Sequence, residues 1–289
     1  MARFRFLPCL DSDEMAASRK LTSWIDRDLA RSLGERAVVA AEDGFYFLED
    51  GSKVAWRTQV ERARASRISI APEAPLPLHV VEPVEETVIQ VANKTTLQAG
   101  RELVDAGHRP LALNFANGIT PGGGFLSGAR AQEEGLCRSS ALFVTLQNDA
   151  MYQFHRARPR PDSAEWCIVS PDVPVFRDDA GNALKETWLL SFITSAAPYA
   201  PSIGQPESGD LLKKRIRRVL AIASAYGYKA LVLGAWGCGA FGNDPQRTAE
   251  DFHEILTTEF CGHFSNIVFA ITDWSPERRM LGPFRDVFQ

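Results

Sequence analysis

Residues 113–140 read LNFANGITPGGGFLSGARAQEEGLCRSS, and this stretch decides the fold class. Just upstream and overlapping it, Leu111–Phe115 is a short apolar run suited to a buried strand. The chain then breaks at Asn117-Gly118 and Pro121-Gly122 and passes through Gly122, Gly123 and Gly124. Without a Cβ, successive glycines let backbone N–H groups approach a ligand closely and in unusual φ/ψ. Such a nest of amides suits an anion. After a short loop come Gln132, Glu133 and Glu134, then a helix-compatible segment from Leu136 to Leu146. Alone, the glycines would be a flexible turn, and the glutamates a solvated helix start favoured by the macrodipole. Together behind an apolar strand they read as a site. The pattern is neither the dinucleotide fingerprint G-x-G-x-x-G nor a P-loop, since no Gly-Lys-Ser/Thr follows.

A second loop has the same character. Leu231–Asn243 reads LVLGAWGCGAFGN: Gly234, Gly237, Gly239 and Gly242 follow an apolar strand and precede an Asp244-Pro245 helix start. Two such loops at the carboxyl ends of strands would face one crevice of an open α/β sheet. One diphosphate held between them is the economical reading. Phe241 either packs against a ribose or closes the core. Cys238 has no histidine near it in sequence and reads as a small residue in a tight loop rather than a nucleophile.

The first stretch resembles the bacterial-type poly(ADP-ribose) glycohydrolases, whose signature is GGG, several residues, then QEE. Here seven residues separate Gly122-Gly123-Gly124 from Gln132-Glu133-Glu134. The resemblance continues through SPDVPVFR (170–177), SFIT (191–194) and residues 234–243, and spans roughly residues 85 to 275. It implies a three-layer α/β/α macrodomain with a mixed sheet, preceded by an N-terminal helical extension. The family's activity implies hydrolysis of ribose–ribose O-glycosidic bonds, mainly from the polymer terminus, to release ADP-ribose. In the family the second glutamate of QEE is catalytic, which points to Glu134 as the acid and base. Glu133 would accept ribose hydroxyls, Gln132 would bind ribose or brace the loop, and Asn117 matches an asparagine that touches the distal ribose in related macrodomains. Residues Gly122, Gly123, Gly124, Gly237, Cys238, Gly239, Ala240, Phe241 and Gly242 complete the expected substrate contacts.

Two adjacent glutamates also exclude the usual glycosidase layout. Common glycosidases place carboxyls on opposite faces of the sugar, whereas adjacent helical side chains diverge by about 100°. The simplest division gives one glutamate the chemistry and the other the positioning. Two rivals remain: a macrodomain that reads ADP-ribose without cutting it, and a hydrolase for single ADP-ribose units.

With 289 residues and a net charge of -4, the average composition points to neither a nucleic-acid nor a membrane partner. Cys9, Cys137, Cys167, Cys238 and Cys261 lack zinc or disulfide spacing, so reduced cytosolic thiols are expected. His79, His108, His155, His253 and His263 are scattered, so neither metal nor cofactor is predicted. The N-terminus has no sustained apolar region of a signal peptide. The expected partners are poly(ADP-ribose), ADP-ribose and ADP-ribosylated proteins, with a cytoplasmic monomer acting on them.

Along the chain, Asp11–Leu33 predicts one helix, with Leu21, Trp24, Ile25, Leu29 and Leu33 in phase and Gly34 after it. Phe45–Leu48 predicts a small hairpin or connector and Lys53–Arg67 a basic helix. Pro72, Pro75, Pro77 and Pro83 mark a connector. They divide residues 1–84, a helical cap, from a catalytic domain at 85–289. Beyond it strands and helices alternate: strands at Val88–Val91, Leu111–Phe115, Trp166–Ser170, Trp188–Thr194, Ala230–Leu233 and Asn266–Ile271. Helices fall at Thr95–Ala106, Leu136–Gln147 and Leu211–Tyr226, the last with Lys213, Lys214, Arg215, Arg217 and Arg218 opposite its apolar face. Arg156, Arg158 and Arg160 form a basic loop that would be solvated or steer a polyphosphate. Adenine contacts are sought at Asn93, Thr95 or Asp273.

Overall fold

The apolar run that ends in the first glycine loop is a central strand. In the computed structural model, which describes residues 2–23, 25–78 and 82–289, it lies inside a mixed eight-stranded sheet. The strands are β1 (Arg3–Phe6), β2 (Phe45–Phe47), β3 (Lys53–Ala55), β4 (Ile68–Ile70), β5 (Glu86–Ala92), β6 (Pro110–Phe115), β7 (Cys167–Arg177), β8 (Ala183–Ser195), β9 (Ala230–Leu233) and β10 (Asn266–Ala270). β2 and β3 form a separate hairpin, and the large sheet runs β1-β5-β10-β9-β6-β8-β7-β4. Neighbours from β1 to β8 are parallel, while β7 and β4 continue the sheet antiparallel.

The helices are α1 (Asp13–Ser23), α2 (Arg27–Asp43), α3 (Arg57–Ser66), α4 (Thr96–Asp105), α5 (Gln132–Ser139), α6 (Leu142–Leu146), α7 (Ala150–Arg156), α8 (Ala200–Ile203), α9 (Glu207–Ala225), α10 (Pro245–Thr257) and α11 (Leu281–Val287). They cover the sheet on both sides, because strand side chains alternate between faces. Leu111 and Leu113 of β6 join the apolar cluster of α9, α10 and α11, while Ala112 joins that of α2 to α6. This is the expected three-layer α/β/α arrangement.

Local sequence explains the elements beside the site. Thr95 caps α4 in a reciprocal box with Gln98, which satisfies two amides that the first turn leaves free. Asp244 accepts from the Gln246 and Arg247 amides and Pro245 opens α10, so the second glycine loop feeds directly into a helix start.

Several boundaries differ from the sequence reading. The predicted helix over 11–33 is two helices: Ser12 accepts from the Met15 amide at the first, and Asp26 from the Asp28 and Leu29 amides at the second. Trp24, placed on that helix face, lies outside the described residues, as does His79. Gly34 does not end the helix, since α2 continues to a left-handed Gly44. It permits close packing instead: a Cβ there would come within 2.8 Å of the Phe125 carbonyl oxygen. The Lys53–Arg67 segment opens with a strand, and only Arg57–Ser66 is helical. The predicted helix over 136–147 begins earlier, at Gln132, and breaks at extended Ser140, which bridges to Val175. Arg215 is on the buried face of α9, bonded to the Asp162 carbonyl, rather than among the solvated cations.

The first 84 residues contribute more than helices. β1 pairs with β5 at one margin of the sheet and β4 with β7 at the other. α2 lies against the 3₁₀ turn Phe125–Ser127 that follows the three glycines.

Candidate active site

β6 and β9 are parallel neighbours, so the loops leaving their carboxyl ends face the same space. That space is a cavity of about 490 Å³. The first loop presents Asn117, Gln132, Glu133 and Glu134 to it, and the second presents Gly237, Gly239, Ala240 and Phe241.

Glu133 and Glu134 occupy the first turn of α5 but are not a solvated helix start: they are 3% and 8% exposed. Glu133 accepts the Asn117 amide on Oε2 at 2.7 Å and Asn114 Nδ2 on Oε1 at 3.3 Å, and the Gly122 amide also faces it. Glu134 accepts the Gly124 amide on Oε1 at 2.9 Å, while its Oε2 is buried without a partner. The two carboxylates do not diverge as their helical positions imply. They converge on Gly123: a Cβ there would sit 3.1 Å from Glu133 Oε2 and closer still to Glu134 Oε1. With φ at 58°, Gly123 also adopts backbone geometry that other residues rarely accept.

The first glycine nest is therefore occupied by the protein's own anions. The Gly123 amide donates to the Thr120 carbonyl, and those of Gly122 and Gly124 serve the glutamates. The second loop differs. Among the described residues, the amides of Gly237, Gly239, Ala240 and Phe241 have no intramolecular acceptor, and nothing lies within 4 Å of where a Gly239 Cβ would be. These unpaired amides form a nest of the kind that suits an anion.

Other predicted residues divide by what their side chains touch. Gln132 is a brace: its Oε1 accepts the Phe115 amide at 2.9 Å, and its Nε2 donates to Leu113 O at 2.8 Å and Thr96 Oγ1 at 3.0 Å. Asn117 uses its Oδ1 to hold the Ile119 and Thr120 amides and turns the loop. Phe241 both lines the cavity and packs on the core, edge-on to Tyr199 at 5.9 Å. Cys238 and Gly242 are not on the cavity wall. The Cys238 thiol points to Thr248 Oγ1 and the Trp236 carbonyl, and burial pushes its pKa up to about 12, so it is no nucleophile at neutral pH.

The basic loop is largely neutralised. Arg158 pairs with Asp162 and Arg160 with Glu207, whereas Arg156 donates to the Ile119 carbonyl. Asn93 and Asp273 are structural: Asn93 bonds Asp11 and the Asp273 backbone, and the Asp273 carboxylate holds the Ser275, Met280 and Leu281 amides. Thr95 does line the cavity, donating to Asp179 at 2.7 Å. Burial lowers His155 to about 4, so it stays neutral; its Nδ1 bonds the Gly118 carbonyl and its Nε2 accepts the Ala164 amide, fixing the loop. Among the described residues no three His, Cys, Asp or Glu converge to hold a metal, and no helix is long and apolar enough to cross a membrane.

Sequence reading missed Asn114, Thr194, Asp179, Arg138 and Trp274. Asn114 is fully buried in β6, and its Nδ2 joins Glu133 to Thr194 Oγ1 at 3.1 Å. An asparagine inside LALNF was the available signal, because a buried amide needs partners. Arg138, one turn after Glu134, is buried at the cavity wall and donates to the Ala129 carbonyl. Asp179 and Trp274 reach the cavity from loops, and no pattern in the sequence marks them.

Burial, with the neighbouring Glu134 charge, raises Glu133 to about 8 against the donors that favour its anion. Glu133 therefore holds a proton at neutral pH. Between the ordinary carboxyl range and about 8, the folded state binds more protons at Glu133 than the unfolded state does. Stability from this group thus falls as pH rises through that window. Glu133→Gln should remove the slope: the melting temperature of the variant relative to the parent should rise from pH 5 to pH 8.5. A constant difference in thermal melts would contradict the assignment.

Fold and site together define a macrodomain-like hydrolase, with a carboxyl pair and a free amide cradle on one cavity. Residues 35–178 match the family described as "Microbial-type PARG, catalytic domain". The poly(ADP-ribose) glycohydrolase of Thermomonospora curvata is 40% identical, with a TM-score of 0.85 over 90% of this chain and 100% of that one. Its complex with the inhibitor ADP-HPD gives 41%, 0.84 and the same coverage. The Deinococcus radiodurans enzyme in complex with ADP-ribose is 37% identical, with a TM-score of 0.74 over 80% of this chain and 97% of that one. No curated protein matches the sequence. The chain belongs to the microbial-type poly(ADP-ribose) glycohydrolase family.

Proposed function

We propose that this protein hydrolyses ribose–ribose O-glycosidic bonds of poly(ADP-ribose), mainly from the polymer terminus, and releases ADP-ribose. The observation that carries the reading is the unpartnered Oε2 of Glu134 on the wall that also bears four free amides. The amides of residues 237–241 take the diphosphate. Glu134 gives its proton to the leaving ribose oxygen, and the resulting carboxylate then deprotonates the attacking water. Glu133, fixed by three donors, accepts a ribose hydroxyl beside the acid. Asn114 and Gln132 hold this arrangement from behind.

Terminal action is supported by the wall at one side of the cavity. Ile25 lines it, Arg130 donates to the Ile25 carbonyl, and Arg27 Nε donates to the Ser127 carbonyl. The N-terminal segment thereby closes over the loop between the glycines and the glutamates. Inhibitor and product complexes of the two relatives support the ligand class. A macrodomain that only reads ADP-ribose has no use for a buried acid there. The test is incubation with labelled polymer and, separately, with a protein carrying single ADP-ribose units. Release of ADP-ribose from the polymer is expected; release only from the singly modified protein would replace this reading, and release from neither would leave a binding module.

A further inference from the structure

Gly123 and Gly124 are absent from the wall of the catalytic cavity. They line instead an open cleft of about 500 Å³ outside it, and because Gly123 abuts both carboxylates, one loop separates the cleft from the carboxyl pair. The cleft has an apolar floor, in which Phe125 and Phe143 pack at 4.7 Å and Leu126 remains 43% exposed. Its rim carries the short polar side chains of Thr120 and Ser127 and the amides of Gln147 and Asn148. Asn148 takes a positive φ of 58°, which presents its side chain from a tight turn. No acidic residue lines the cleft, and Arg156, itself outside that lining, donates to the carbonyl of Ile119, the residue before Thr120.

We infer that this cleft is a subsite for the second ADP-ribose unit of the polymer, the unit that carries the leaving oxygen. The inference rests on the function proposed above. When the terminal unit fills the inner cavity and the C–O bond lies at Glu134, the water oxygen goes to the anomeric carbon, and the leaving oxygen takes the Glu134 proton at the cavity wall. Gly123, which touches both carboxylates and lines the cleft, gives the chain attached to that oxygen a route over the glycine loop. The cleft on that loop offers an apolar surface for a base and amides and hydroxyls for ribose, with the Arg156 guanidinium held next to Thr120 of its rim for a diphosphate.

The experiment compares steady-state kinetics on poly(ADP-ribose) with kinetics on an aryl glycoside of ADP-ribose, whose leaving group is too short to fill the cleft. Gln147→Glu and Leu126→Glu should raise KM for polymer about tenfold at low salt, and Gln147→Lys should lower it, because the charge acts on a polyanion. All three should keep kcat/KM on the aryl glycoside within about twofold, which also shows that they are folded. Unchanged polymer KM in all three, or equal effects on both substrates, overturns the subsite. Failure of the parent protein to cut the polymer overturns the function itself, so the two failures are distinct.

Discussion

Glu134→Gln should lose about 10²–10⁴ in turnover on poly(ADP-ribose), with ADP-ribose affinity nearly unchanged. The substitution keeps the side chain's size and leaves Oε1 an amide oxygen that still accepts the Gly124 N–H. What disappears is the ability of the other atom to give and recover a proton. That atom has no protein partner, so its replacement breaks no structural bond. The free amides lie on a different strand's loop and are untouched. A calorimetric titration with ADP-ribose beside a single-turnover assay on polymer separates the effects. Full turnover in the variant would remove Glu134 from the chemistry, and lost binding with it would make the residue a structural one.

Gly123→Ala should cost as much by a different route. The left-handed backbone at this position adds roughly 1–2 kcal/mol of strain for any residue with a Cβ. The added carbon would also occupy the space where the two carboxylates meet. Glu134 must then shift, and a displacement near 1 Å in a reacting group is enough for about a 10²-fold loss. Gly107→Ala provides the control. It too has a positive φ, at 85°, but nothing lies within 4 Å of its Cβ position. It should lose comparable stability in a denaturant melt with unchanged turnover. If Gly123→Ala also retains full turnover, the close approach at Gly123 does not position the acid.

The strand-and-loop framework was legible because each part leaves a local mark. β6 and β9 are apolar runs followed by glycines, and the Thr95 cap has its Gln98 three residues on. The carboxyl pair was legible from adjacency to those glycines. What their spacing concealed was its purpose: the first nest grips glutamates, and only the second remains open for a ligand. The missing parts depend on contacts distant in sequence. β1, with its RFRF alternation, becomes a strand because β5 offers an edge to pair with. Gly34 looks like a stop signal until Phe125 is packed against it, some ninety positions away. Arg215 resembles its basic neighbours on α9, and only the Asp162 carbonyl above it distinguishes a buried cation from a solvated one.

The order of the sheet also bears on how the protein is made. β10, the last strand in the order of this sequence, is inserted between β5 and β9, and its residues 266–269 pair with both. Until the ribosome has released that segment, β5 and β9 have no common neighbour and the apolar faces they share stay open. Such long-range parallel pairing is slow to form and leaves nascent chains prone to association. The emerging polypeptide thus cannot close its sheet until residues 266–270 are available, and a stop before them would discard the centre of the fold rather than its margin.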